Sequence, residues 1–310
     1  MGFIKFKLVI VYSILLLLVQ ISFVSCETNL KELTVKSDFE LNKKTNFLIT
    51  RKKNDGKSGS SGLFTETSVS LVFESIDNGR LKGNWLYGGT VLVGAESEMI
   101  GSEEQEIINI YEGLNFSIEI HEGKVSLLNY ESIRRDLELL FLKVYRIDQE
   151  SDESGMYQRI SNMFKAKAST SESLLNSFFP EIPLFFSSIN ETYVNNQVSV
   201  LDSIQSPYQP SFIDIVSTIN IEKIDNEYEI LRRDSISQDV LNEQMKLYMN
   251  EMFGEQAKNI PFSQMPKFNY TASYVIWLNE DKEFLELEKS MFLSNGGNNM
   301  SNSLTITKRD

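Results

Sequence analysis

The residues that could do chemistry in this chain are few: one cysteine, Cys26; one histidine, His121; scattered carboxylate pairs; and a knot of phenylalanines between residues 178 and 186. A Ser-His-Asp triad or a zinc site would have to use His121, since no other imidazole exists and Cys26 is the one thiolate. His121 stands beside Glu122-Gly123, a turn signal, with no nucleophile or orienting partner nearby in sequence, and reads as a solvated turn-flanking residue. Glycoside hydrolysis needs two carboxyls at a fixed separation across a cleft. The pairs Glu103-Glu104, Asp152-Glu153, Glu280-Asp281 and Glu286 with Glu288 supply carboxyls, and Trp85 or Trp277 could stack on a sugar, but no spacing sets such a cleft. Asp148, Glu150, Asp152 and Glu153 lack the Gly-centred loop of an EF-hand. No catalytic residue, metal or cofactor is expected. The best binding candidate is Phe178, Phe179, Ile182, Phe185 and Phe186, packed around Pro180 and Pro183. These residues either plug a core or line a hydrophobic pocket or interaction patch.

Cys26 gains meaning from what precedes it. Lys5 and Lys7 form a basic start, residues 8–19 are apolar apart from Tyr12 and Ser13, and the pattern reads as a secretory signal over residues 1–25. The apolar run falls short of the roughly 20 residues of a membrane span. Phe23-Val24-Ser25-Cys26 resembles a permissive lipobox, so the thiol of Cys26 is the expected lipidation point and the membrane the expected partner. A net charge of −13 repels phosphate backbones and argues against nucleic acid. With one cysteine no internal disulfide can form, which suits a bacterial envelope protein better than a eukaryotic secreted domain. Four N-glycosylation sequons, at Asn115, Asn190, Asn269 and Asn299, keep the secreted, extracellular alternative open.

The elements that must position these residues are mostly strands. Val69, Leu71 and Phe73 alternate with polar or smaller neighbours, Asp77-Asn78-Gly79 marks a hairpin turn, and residues 81–93 return. Phe116, Ile118 and Ile120 lead to a second hairpin at Glu122-Gly123. The period then becomes helical: Ile133, Leu137, Leu140, Phe141 and Val144 form one stripe, capped by Asn129. Further helices are expected over residues 157–165 and from Ser169, whose spacing to Glu172 fits a capping box, ending at Pro180. In the second half Ile213, Ile215, Ile219 and Ile221 alternate before a turn at Asp225-Asn226. A helix follows Ser237, and strands close the chain at 270–278, 283–293 and 303–308. Glu74 to Asn78 aligns with Glu222 to Asn226, and Phe116 to Lys124 with Tyr274 to Lys282, which suggests an internal duplication. The expected fold is α+β: curved antiparallel β-sheets, half-barrel or clam-like, from two related halves with helices packed on them. The expected division is a β-rich half with a helical insertion over residues 26–195 and a β-helix-β half over 196–310.

Three short motifs carry a resemblance. Val24-Ser25-Cys26, the Glu122-Gly-Lys-Val125 turn leading into strand and helix, and Phe179-Pro-Glu-Ile-Pro183 before a second β-rich half are similar to uncharacterised secreted lipoproteins of the Bacteroidota type. The resemblance covers residues 115–186 and implies a cell-envelope protein, anchored at the outer membrane, with no catalytic residues to carry over. The expected function is non-enzymatic: a lipid-anchored protein binding an apolar ligand or a partner protein through a concave Phe-rich surface. An adaptor subunit of a cell-surface complex and a glycan-acting surface hydrolase are the alternatives.

Overall fold

The computed structural model describes residues 30–37, 39–54, 63–93, 109–144, 156–205, 212–237, 239–240, 243, 246, 268–295 and 298–309. The signal segment and Cys26 lie outside the described residues, as do Glu103-Glu104 and Asp152-Glu153. An eleven-stranded antiparallel sheet dominates, in the order β6-β5-β4-β3-β2-β13-β12-β11-β10-β9-β8. Its first five strands are β2 (Lys44–Asn54), β3 (Leu63–Asp77), β4 (Arg80–Leu92), β5 (Asn115–His121) and β6 (Lys124–Leu127). The others are β8 (Gln197–Gln205), β9 (Phe212–Ile224), β10 (Glu227–Ser235), β11 (Phe268–Leu278), β12 (Phe284–Asn295) and β13 (Asn298–Arg309). A small second sheet pairs β1 (Glu32–Thr34) with β7 (Thr192–Val194).

Neighbours in the large sheet are neighbours in sequence, except at one seam where β13 pairs with β2. The sheet is open, with β6 and β8 as its edges, and it runs unbroken through both halves of the chain. The hairpin turns carry positive φ at Asn78 and Gly79, Glu122 and Gly123, Asp225, and Lys282, and Asn78, Gly79, Gly123 and Asp225 are of types that adopt it readily. The two pairs of similar segments fall on the β3–β4 and β9–β10 turns and on the β5–β6 and β11–β12 turns, each pair six places apart in the sheet. That interval is one that a meander of any origin also gives.

Among the described residues four helices sit between β6 and β7: α1 (Tyr130–Val144), α2 (Met156–Lys167), α3 (Ser171–Phe178) and α4 (Glu181–Ser188). The alternating residues Phe47, Ile49, Val69, Leu71, Phe73, Trp85, Tyr87, Phe116 and Ile118 are buried on one sheet face, in one cluster with Ile133 and Leu137 of α1 and Leu174, Leu175, Ile182, Phe185 and Phe186. Alternation therefore places the core on the helix side of the sheet.

Local details differ from the expectation in three places. The capping box forms one residue later, with Thr170 as N-cap and Ser173 as its partner. Asn129 does not cap α1 with its side chain; that amide accepts from the Ser117 N–H and donates to the Asn115 carbonyl, tying the helix start to β5. The two prolines do not keep residues 181–188 from being helical. Pro180 is the N-cap and Pro183 lies in the first turn, where a missing N–H costs nothing. Of the helix expected after Ser237, the described residues Asp239, Val240, Glu243 and Lys246 are helical.

Candidate functional site

The Phe-rich segment is the centre of the core. Phe179, Ile182, Phe185 and Phe186 have no exposed surface, and Phe178 packs against the same cluster from its rim. Phe185 meets the rings of Phe39, Phe47, Trp85, Phe186 and Phe284 at centroid distances of 5.0 to 6.0 Å. Phe179 packs on Tyr87, Tyr111 and Phe116. These four side chains fill space against the sheet and present no concave surface to solvent: Ile182, Phe185 and Phe186 stand on α4, and Phe179 is the C-cap of α3.

One buried polar group accompanies them. Glu181, the first residue of α4, has no exposed surface, pairs with Arg51 of β2 and accepts from the Tyr87 hydroxyl. Burial above all, with Glu181 second, pushes the Tyr87 phenol well up. His121 is exposed at the end of β5. Among the described residues no three His, Cys, Asp or Glu side chains are grouped to hold a metal. Glu280 and Asp281 are exposed at the β11–β12 turn. Glu286 accepts from Thr307 and Glu288 from Ser290. Trp85 is fully buried, whereas Trp277 stands in register between Glu229 and Glu286 on the opposite face of the sheet. Burial first, then the neighbouring Glu222, raises the Glu229 carboxyl.

A cleft of about 910 Å³ lies where β2, β3 and β9 to β13 adjoin. Register identifies its face. Thr218, Arg233, Ser273, Ser290, Ser303, Lys52 and Phe64 are directly opposed across seven strands, forming one row. The alternate row, Ile219, Arg232, Tyr274, Lys289, Leu304 and Arg51, belongs to the core side. Most of the lining thus stands on the face away from the helices, and Asp234, Ala272, Met291, Asn302 and Lys53 of the alternate face complete it. Arg233 and Lys52 end a track of three serines, roughly 19 Å apart at ordinary strand spacing. Phe64 lies under the Lys52 ammonium at 5.0 Å, and Phe292 adds an exposed ring in the adjoining row. Glu288 flanks the serine track, where Ser290 donates to it at 2.7 Å. Cations, hydroxyls and phenyl rings in one concave surface can hold an amphipathic molecule with an acidic group.

On the core side of the same strands lies a second polar group. Asp234 is 2% exposed and accepts from Arg232 at 2.9 and 2.8 Å. The Tyr274 ring receives Arg232 at 4.7 Å and Lys289 at 5.1 Å. Burial lowers Lys289 below the ordinary lysine range and pushes Tyr270 up to about 12.

No family model matches the chain, and no curated protein does. Among solved structures, lipovitellin, in a study titled for its lipid–protein interactions, aligns with 88% of this chain at 8% identity and a TM-score of 0.40. The chain spans 26% of lipovitellin's length. Rv2717c from M. tuberculosis aligns with 85% of this chain and 91% of its own at 8% identity and a TM-score of 0.21. Neither superposition is close enough to carry an argument about function.

Sequence reasoning missed the cleft. Its lining comes from seven strands, and serines alternating with apolar residues look like any solvated strand face. Lys289 and Arg232 left a clearer trace: each interrupts an apolar alternation, Leu287-x-Lys289-x-Met291 and Ile230-x-Arg232, at a position facing the core.

Proposed function

We propose that this is an exported, lipid-anchored, non-enzymatic binding protein that holds an amphipathic, acidic ligand in the cleft. The observation that carries the reading is the cleft's chemistry: in a chain of net charge −13, Arg233 and Lys52 stand with Phe64 and Phe292 around one concave surface of ligand size. Export and the anchor at Cys26 rest on the signal pattern and on the cysteine that follows it. The Phe-rich segment has a supporting part, holding the sheet against α4.

The test is native mass spectrometry of the full chain, purified gently from its source membrane, for wild type, Cys26→Ala and Ser290→Trp. An N-terminal mass increment lost in Cys26→Ala, and a releasable amphiphile lost in Ser290→Trp, are expected. An empty, unlipidated wild type would overturn the reading in favour of an adaptor subunit. The surface-hydrolase reading draws on the row Glu229, Trp277 and Glu286, with the Glu229 carboxyl raised by burial first and by Glu222 second. It requires that Glu229→Gln and Glu286→Gln each abolish cleavage of a glycan that wild type turns over, and a glycan panel without turnover by wild type removes it.

A further inference from the structure

We propose that the ligand of the cleft is a zwitterion, with its acid group held at Arg233 and an organic cation, such as a quaternary ammonium, held over Trp277. The assignment rests on the reading of the cleft as a site for an acidic amphiphile and names the other half of the head group. Trp277 of β11 is directly opposed by Glu229 of β10 on one side and by Glu286 of β12 on the other. Each of those strands runs about 5 Å from its own. Glu222 of β9 stands opposite Glu229 and extends the row. The indole is half-buried and has no aromatic or cationic neighbour among the described residues. Glu286 accepts from Thr307, but no lysine or arginine of the described residues pairs with Glu222, Glu229 or Glu286. Like charges directly opposed across two strands repel, and a cation seated over the indole relieves that repulsion while meeting the π face that suits it best. An indole offers a metal ion no ligand atom, so the row favours a weakly hydrated organic cation.

The row adjoins the cleft on the same sheet face. Arg233 follows Glu229 by four residues on β10, about 13 Å along the strand. Between them, facing the same way, stand Leu231 and its directly opposed neighbour Val275, both half-buried. The long Arg233 side chain shortens the gap: its charge draws the Glu229 carboxyl down, behind burial and Glu222, which raise it. Arg233 has no carboxylate within 4 Å among the described residues. Along this face the order is therefore cation, apolar pair, then indole between carboxylates, and the complementary head group runs acid, spacer, organic cation. Phe292 lies one row beyond Arg233 from Trp277, and Phe64 lies across the cleft, where an apolar tail would extend. An acid-only head group at Arg233 would sit beside Glu229, Glu286 and Glu288 and be repelled by them. A zwitterion turns the same carboxylates into attraction.

Calorimetric titration of the folded full chain with dodecylphosphocholine below its micelle concentration tests the assignment. The control is dodecyl neohexyl phosphate, which keeps the shape and the phosphate and puts carbon in place of the charged nitrogen. Wild type is expected to bind dodecylphosphocholine about tenfold more tightly than the control. Trp277→Leu and Glu229→Gln are each expected to cut that ratio several-fold, and Trp277→Tyr to keep part of it, since a phenol ring still offers a π face. Trp85 is fully buried, so dodecylphosphocholine should shift the tryptophan emission of wild type and not that of Trp277→Leu. Ser290→Trp, which fills the cleft, should weaken both amphiphiles alike. Equal binding of the two amphiphiles by wild type overturns the zwitterion and leaves the acid-binding cleft standing. A preference that survives intact in Trp277→Leu and Glu229→Gln overturns the placement of the cation, and binding of neither amphiphile overturns both readings.

Discussion

Arg51 of β2 holds the Glu181 carboxylate of α4 across 130 residues of chain, with Arg51 partly in water and Glu181 wholly out of it. The asymmetry makes the two partners unequal. Arg51→Met strands a charged carboxylate with the Tyr87 hydroxyl as its remaining partner, at a cost of about 3 kcal/mol. Glu181→Gln keeps the shape and leaves a guanidinium that can hydrate, at a cost of about 1 to 2 kcal/mol. Urea denaturation of both variants measures the order, and the reverse order would show that Glu181 is not held as a charge.

Phe185 touches five aromatic rings at the centre of the core, and Phe178 meets Phe141 and Phe164 nearer the rim. Phe185→Ala is expected to cost about 3 to 5 kcal/mol, with Phe178→Ala costing about half as much. A shift of the denaturation midpoint that is equal for both would contradict the packing described.

Gly83 and Gly79 are needed for different reasons. A Cβ at Gly83 would lie 2.5 Å from the Val72 carbonyl oxygen, so Gly83→Ala must move β4 away from β3, at about 1 to 3 kcal/mol. A Cβ at Gly79 meets nothing, but the backbone there has φ near +75, and Gly79→Ala costs about 1 kcal/mol through strain alone. Thermal melts separate the two if Gly83→Ala also perturbs near-UV circular dichroism, which reports on nearby Trp85 and Tyr87, while Gly79→Ala does not.

Alkaline stability follows from the buried phenols. Tyr87, Tyr111, Tyr193, Tyr270 and Tyr274 are all raised, with burial the first cause in each. The unfolded chain releases these protons near pH 10, whereas Tyr270 holds its own to about 12 in the fold. Above about pH 10 the unfolded state therefore binds fewer protons, and stability falls as pH rises through that window; below it the phenols contribute no slope. Lys289, lowered by burial, acts in the opposite sense as pH rises through its folded value, but it is one group against five. Urea midpoints across this range, with tyrosinate absorbance followed in parallel, should show the midpoint dropping before the buried phenols ionise. A flat midpoint would mean that these phenols are exposed.

Much of the sheet was legible because hairpin turns and strand alternation are local. Asn78-Gly79 and Glu122-Gly123 announce their turns, and Phe116 and Ile118 their buried face, within a few residues. The helix at Glu181 was not legible, since its prolines argue for interruption until one sees that both lie at the helix start. The cleft and the Lys289 cluster were illegible for a different reason. Each depends on which strand lies beside which, and the pairing of β13 with β2 is set by burial across the whole chain and by no motif.

That seam also orders events during synthesis. β2 finds β3 within moments, but its other edge offers unpaired amides and carbonyls until β13, some 250 residues later, leaves the ribosome. A chain interrupted anywhere in the second half therefore exposes a bare sticky border, and a holdase that masks extended segments would be this protein's most useful companion before it is finished.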